Sequence, residues 1–318
     1  MRYGLPYKGS KNSIAEWIVD SLPRADIFVD LFFGGGAITH RAMLTGKYKQ
    51  FIINDIDVRL PKLFLDCAYG KYTVENHPEW ITREEFNAKK ADDAYIALVW
   101  SFGNNGKDYL YGTDIEDMKY AYHRAVYEGD LDALKPYGYI LSRSDKKTIY
   151  ERYLDYQRQI KKQTPNVQLE VVTRQTEIER LQSLQSLQSL QSLQSLQSLQ
   201  SFGGYYREVP IPDVALIYFY IPFEGTNCGK YAGFNHAQFY EWATRQDNIY
   251  ISEYSMPADD FIQVARINKR QLSTTNGASD LVEERIYTNK KTYYRMTKEQ
   301  QRIAMLNTAE QTSIFDFI

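Results

Sequence analysis

The apolar residues of this chain fall into short blocks whose spacing predicts the elements they build. Ile14, Trp17, Ile18 and Leu22 recur at intervals of three and four, the spacing of one helix face. Ser10 or Asn12 can cap that helix, and Pro23 helps end it. Two compact runs follow, Ile27 to Val29 and Phe51 to Ile53, each read as a buried strand. A third strand runs from Ala215 to Phe219. Between the second and third, over about residues 60 to 205, the alternation of strand and helix breaks down. There Ala91 to Trp100 reads as a buried helix, and Tyr120 to Tyr127 and Thr148 to Lys162 as two more. The polar loop Ser101-Phe102-Gly103-Asn104-Asn105-Gly106-Lys107 follows the first of them.

One segment has a period that fits neither element. Leu-Gln-Ser is repeated seven times from Leu181 to Ser201. At about 100° per residue, leucine drifts by about 60° per repeat around an α-helix, so no fixed apolar stripe results. An extended or 3₁₀ coil would keep one stripe, but long 3₁₀ runs are uncommon. The pattern leaves the conformation open, and the uniform, chargeless composition reads as a low-complexity, length-tolerant spacer.

Composition narrows the function classes. The chain of 318 residues can bury a sizeable core, and its net charge of −2 provides no overall attraction to nucleic acid. Local basic surface would be needed, and two stretches could supply it. One holds Arg143, Lys146, Lys147, Arg152, Arg158, Lys161 and Lys162, with Tyr150, Tyr153 and Tyr156 interleaved. The other holds Arg266, Lys269, Arg270, Arg285, Lys290, Lys291 and Arg295. Cys67 and Cys228 form no disulfide pattern and no metal cluster. No run is long enough to span a membrane, and no basic-apolar leader is present, so a reducing cytoplasm is the expected compartment.

The candidate chemistry begins where the first strand ends. Asp30-Leu31-Phe32-Phe33-Gly34-Gly35-Gly36 is a strand-to-helix turn, where backbone N–H groups can approach a ligand closely. The second strand ends in Asn54-Asp55-Ile56-Asp57. An acid there, about twenty residues past the glycine turn, sits where ribose hydroxyls bind in a βαβ unit. A glycine turn also occurs in ordinary connections. The spacing is not that of a dinucleotide fingerprint, so a nicotinamide cofactor is not favoured.

Four segments in one order carry a resemblance. Tyr7-Lys8-Gly9-Ser10-Lys11, the Asp30 to Gly36 turn, Asn54-Asp55-Ile56 and the distal Tyr218 to Thr226 are similar to the Dam-like N6-adenine DNA methyltransferases of the alpha group. Ile251 to Ser255 and Ser273 to Asn276 also look like segments of that family. The resemblance covers about residues 1–115 and 205–290. It implies an α/β, Rossmann-like methyltransferase core over 1–60 and 205–296. A mostly helical target-recognition insert would occupy 61–180, the repeat 181–201 and a tail 297–318.

The resemblance also implies S-adenosylmethionine as cofactor and duplex DNA as partner, in restriction–modification or phage self-protection. By position, Tyr7 would pack on the cofactor and Lys11 would hold its carboxylate end. Asp30, Gly34, Gly35 and Gly36 would line the methionine side. Asp55 would take the ribose hydroxyls, with Ile56 against the adenine ring. Asn104, Asn105 and Lys107 would contact DNA, against a plainer reading as turn chemistry.

The family's catalytic tetrapeptide is Asp-Pro-Pro-Tyr or a close variant, and here Tyr220-Ile221-Pro222-Phe223 stands in its place. In the family the acid and a backbone carbonyl hold the exocyclic amine of a flipped adenine, and the aromatic residue stacks on the base. Phe223 keeps a stacking ring and Pro222 keeps the turn. Tyr220 supplies no carboxylate, so it cannot stabilise positive charge on the methylated nitrogen. Loss of one such contact typically costs about 3–4 kcal/mol. Two readings follow: an adenine-specific DNA methyltransferase, or an impaired relative that binds cofactor and DNA. Glu224 is a substitute acid on one reading and a surface charge on the other.

The tail, Glu310 to Ile318, resembles short peptides that dock on bacterial sliding clamps, with Gln311 for register and Ile314 and Phe315 as anchors. Thr312 departs from the usual leucine. The plainer reading ties Ile314, Phe315, Phe317 and Ile318 to the protein's own core.

Overall fold

A computed structural model of the chain describes residues 2–163, 176–222, 233–272 and 279–309. Phe223, Glu224, Cys228, Ser273 to Asn276 and the tail from 310 lie outside the described residues. The chain divides into two compact units. One comprises Met1–Ser13, Gly35–His40 and Lys62–Ser192, the other Ile14–Gly34, Arg41–Pro61 and Leu193–Ile318.

The second unit holds a seven-stranded sheet. Its strands are β1 Ile27–Asp30, β2 Gln50–Asp55, β3 Gln200–Gly203, β4 Leu216–Phe219, β5 Ile249–Glu253, β6 Phe261–Leu272 and β7 Ser279–Asn289. Their spatial order is β3-β2-β1-β4-β5-β7-β6. The first five pair in parallel, and β7 runs antiparallel to both β5 and β6. The order reverses between β1 and β4, the topological switch point where ligands bind in open α/β sheets. This is the α/β, Rossmann-like architecture expected from the sequence.

The sequence blocks become these strands for a simple reason. β4 and β5 are buried along their whole length, as strands covered on both faces must be. Val29, Ile52, Ile217, Phe219 and Ile251 join Phe239 and Ala243 of the helix His236–Arg245 in one core.

The first helix departs from expectation at its start. A 3₁₀ turn, Asn12–Ile14, leads into the helix Ala15–Ser21, and no side chain caps it. Asn12 Oδ1 instead accepts the Tyr3 N–H at 2.8 Å, and Ser10 Oγ accepts that of Asn12 at 3.3 Å. The far end is closed from a distance, because Lys47 Nζ donates to the carbonyls of Val19, Asp20 and Leu22. That contact has no signature in the local sequence.

The first unit is helical. Its helices include Arg83–Lys89, Ala94–Val99, Glu116–Tyr127, Ile149–Gln163 and Glu177–Gln185. Thr82 and Glu85 form a capping box, and Asp93 caps the buried helix.

The repeat is not a spacer, which corrects the sequence reading. Leu181, Leu184, Leu187 and Leu190 are all fully buried. The geometry resolves the period conflict by changing helix type. An α-helix carries Leu181 and Leu184 only, a drift of about 60°, which one face tolerates. A 3₁₀ turn, Ser186–Leu190, then carries Leu187 and Leu190, and three residues per turn align them. In the second unit Leu196 is buried in the short helix Gln194–Gln197, and Gln200 and Ser201 open β3 against β2.

Candidate active site

The second unit gathers four of the predicted positions at the carboxyl ends of its strands. Asp30 is the last residue of β1 and is buried. Asp55 is the last residue of β2 and is fully buried. Its Oδ2 accepts the N–H of Gly34 at 2.7 Å, and its Oδ1 accepts that of Asp57 at 2.8 Å. Ile56 is 39 % exposed, which excludes the plain core reading.

Beside Ile56 lies an open cleft of about 230 Å³. It is lined by Leu31, Phe32 and Asn54, by Gly204, Tyr205 and Tyr206 after β3, and by Gly233, Phe234, Asn235 and Gln238. Pockets enclosing a whole drug-sized ligand run to about 300–1,000 Å³, so this one suits part of such a ligand. Tyr205 is 43 % exposed and lines the cleft together with Ile56. Asn54 has a fixed orientation, since its Nδ2 donates to the carbonyls of Leu31 at 3.1 Å and Gly204 at 3.2 Å. Its Oδ1 is buried with no partner among the described residues. Tyr205, Asn54 and Phe234 were not among the predicted site residues. The signal for Tyr205 was Gly203-Gly204-Tyr205, but the strand before it was hidden in the repeat.

The degenerate slot follows β4 in the same unit. Tyr220 is half-buried and Ile221 lies in the core. The Pro222 carbonyl accepts from His236 Nε2 at 2.8 Å. A carbonyl only accepts, so this nitrogen carries the proton. Below the slot, Tyr218 OH bonds Ser252 Oγ at 2.9 Å. Complete burial pushes the Tyr218 phenol far above its usual range; the Ser252 bond opposes this, while Asp30, Glu284 and Tyr220 add to it. Phe223, the expected stacking ring, lies outside the described residues.

The first unit holds the remaining positions. Lys11 is 4 % exposed, which excludes a solvated surface charge. Tyr7 is half-buried against Gly35, where an added Cβ would stand 2.7 Å from the Tyr7 Cβ. The Leu5 N–H donates to the Gly35 carbonyl at 2.6 Å. Gly34 and Gly36 have φ of 52° and 68°, so the turn needs glycine on backbone grounds. His40, four residues past Gly36, accepts the Gly4 N–H on Nδ1 at 3.0 Å and meets Ser189 of the repeat through Nε2 at 3.3 Å.

The loop candidates take the plainer role in part. Asn104, at φ 54°, donates from Nδ2 to the Leu98 carbonyl at 2.8 Å. Asn105 Oδ1 accepts the N–H groups of Lys107 and Asp108, and its Nδ2 donates to Asp108 Oδ2. Both asparagines build the turn, whereas Lys107 is exposed.

Comparison with known proteins follows this geometry. No curated protein matches the chain. Among solved structures, a candidate RNA methyltransferase from Pyrococcus horikoshii matches 90 % of this chain and 86 % of its own, at 11 % identity and a TM-score of 0.34. That similarity is too low to carry an argument. Residues 7–105 match the family model of the D12 class N6 adenine-specific DNA methyltransferases. They span the glycine turn, Asp55 and the loop to Asn105, and over them the chain is similar to that family.

Proposed function

We propose that the chain transfers a methyl group from S-adenosylmethionine to N6 of an adenine flipped out of duplex DNA. The observation that carries this reading is the cleft beside the ends of β2 and β3, next to the reversal of strand order. Ile56 and Tyr205 would take the adenine ring of the cofactor, and Asp55 the ribose. Asp30 and the glycine turn would face its methionine side, and Tyr7 and Lys11 are assigned to the cofactor by resemblance alone. The bound cofactor supplies the transferable methyl group. Lys107 is the loop residue assigned to DNA, and Ile221 and Pro222 would shape the base pocket.

One observation favours a second reading. Tyr220 occupies the carboxylate position, and burial there suits a phenol better than an unpaired charge. On that reading the chain binds cofactor and DNA with little or no turnover. A titration with S-adenosylhomocysteine, followed through Trp242 fluorescence, tests the cleft, because Trp242 packs edge-on to Tyr206 at 4.9 Å. A methyl-transfer assay on mixed-sequence DNA separates the two readings. Absence of S-adenosylhomocysteine binding would overturn both.

A further inference from the structure

The two basic stretches are equal in sequence: each has seven cations against three carboxylates, in a chain whose total is −2. The fold treats them differently. In the C-terminal stretch, Arg266 and Arg285 pair with Glu283, and Lys291 and Arg295 with Asp247. In the first unit, Arg143, Lys147, Arg158, Lys161 and Lys162 are exposed and form no ion pair among the described residues. Lys146 there pairs with Asp145, and Arg152 donates to the Val126 carbonyl.

These cations are also held in a shape. The segment before the helix Ile149–Gln163 doubles back along it. Gln163 exchanges two hydrogen bonds with the backbone of Ile140, at 3.0 and 2.7 Å. Gln159 does the same with Ser142, at 2.8 and 3.1 Å, and the Tyr156 hydroxyl accepts the Ser144 N–H at 3.3 Å. Three helix residues thus grip one segment of the chain. Arg143 lies between two gripped residues. Arg158 and Lys162 each precede a gripping glutamine, so they form an i,i+4 row flanking the segment. Like charges at that spacing destabilise a helix slightly, a cost with no return inside this unit. Of the interleaved tyrosines, Tyr153 and Tyr156 are buried and Tyr150 is half-buried.

We propose that this edge of the recognition unit, Arg143 with Arg158, Lys161 and Lys162, is a docking surface for the phosphate backbone of duplex DNA. The inference rests on the DNA reading above. With Tyr153 and Tyr156 buried and the cations exposed, the contact is electrostatic and independent of sequence.

The test is a salt titration of binding to a fluorescent duplex of mixed sequence. Each lost phosphate contact lowers the log–log salt slope by about 0.9, so Arg158→Gln with Lys161→Gln and Lys162→Gln should lower it by about 2.7. The paired set, Lys291→Gln with Arg295→Gln, should leave it unchanged. Unaltered melting temperature and S-adenosylhomocysteine binding would show that the triple variant folds. An unchanged slope in the triple variant, or an equal loss in the paired set, overturns the surface while sparing the DNA reading. Tighter binding of the native chain to single-stranded RNA overturns the choice of duplex. A native chain that binds no duplex overturns both.

Discussion

Gly34 donates its backbone N–H to the carboxylate of Asp55 at 2.7 Å, which ties the turn after β1 to the end of β2. The same carboxylate holds the start of the following segment through Asp57. Asp55→Ala should therefore lower stability as well as cofactor affinity. Hydrogen bonds to a charged group contribute about 1.5–3 kcal/mol each, so a drop in both quantities of at least that size is expected. Thermal melting and calorimetry with S-adenosylhomocysteine measure them separately. A variant of unchanged affinity would remove Asp55 from the ligand site.

By resemblance, Tyr220 takes the place of a catalytic acid, and on the proposed function Tyr220→Asp should raise methyl transfer by about a hundred- to a thousandfold. The readout is single-turnover transfer to DNA at saturating cofactor. Robust native turnover that the substitution fails to improve would contradict a limiting role for the phenol.

Ile56 and Tyr205 present apolar surface to the cleft. Tyr205→Ala should weaken S-adenosylhomocysteine binding by about 1–3 kcal/mol, the scale of stacking on one base. Because Tyr205 is partly exposed, the melting temperature of the ligand-free chain should change little. Equal affinity in the variant would place the adenine elsewhere.

Leu187 and Leu190 are fully buried although they sit in a low-complexity run. Either substitution by Ala should cost about 2–5 kcal/mol, whereas exposed Gln191→Ala should cost under about 0.5 kcal/mol. Urea unfolding distinguishes them. Deleting two whole repeats should also destabilise the fold, since Gln200 and Ser201 are sheet residues.

His40 is buried, and burial lowers its pKa from 6.5 to about 4. Its Nδ1 accepts from Gly4, a bond that protonation would break. The folded pKa lies below the unfolded one, so the unfolded chain binds the extra proton between the two. Stability from this residue is complete above pH 6.5 and falls as pH drops toward 4, by about 3 kcal/mol in all. His40→Gln should flatten that part of the stability profile. An unaltered slope between pH 7 and 5 would show that other groups set it.

Much of the core was legible along the chain. Ile27 to Val29, Phe51 to Ile53 and Ala215 to Phe219 are contiguous apolar runs, because parallel strands are buried on both faces and need no alternation. The Gly34 turn and Asp55 were legible because each requirement, a positive φ and an acid ending a strand, is met by one local residue type. The capping of the first helix was misread because its partners, Tyr3 and Lys47, come from outside the helix.

Contiguous apolar runs and the turns between them are local features of the chain, so the sequence by itself determined the α/β class and the place of the glycine turn. Tertiary structure alone decided three matters. It buried the Leu-Gln-Ser leucines by switching helix type mid-run, which periodicity cannot express. It separated two basic stretches of equal charge, since neutralisation of Lys291 and Arg295 depends on Asp247, more than forty residues away. And it brought Tyr205 beside Ile56, because β3 pairs with β2 across an insert whose length carries no information about its ends.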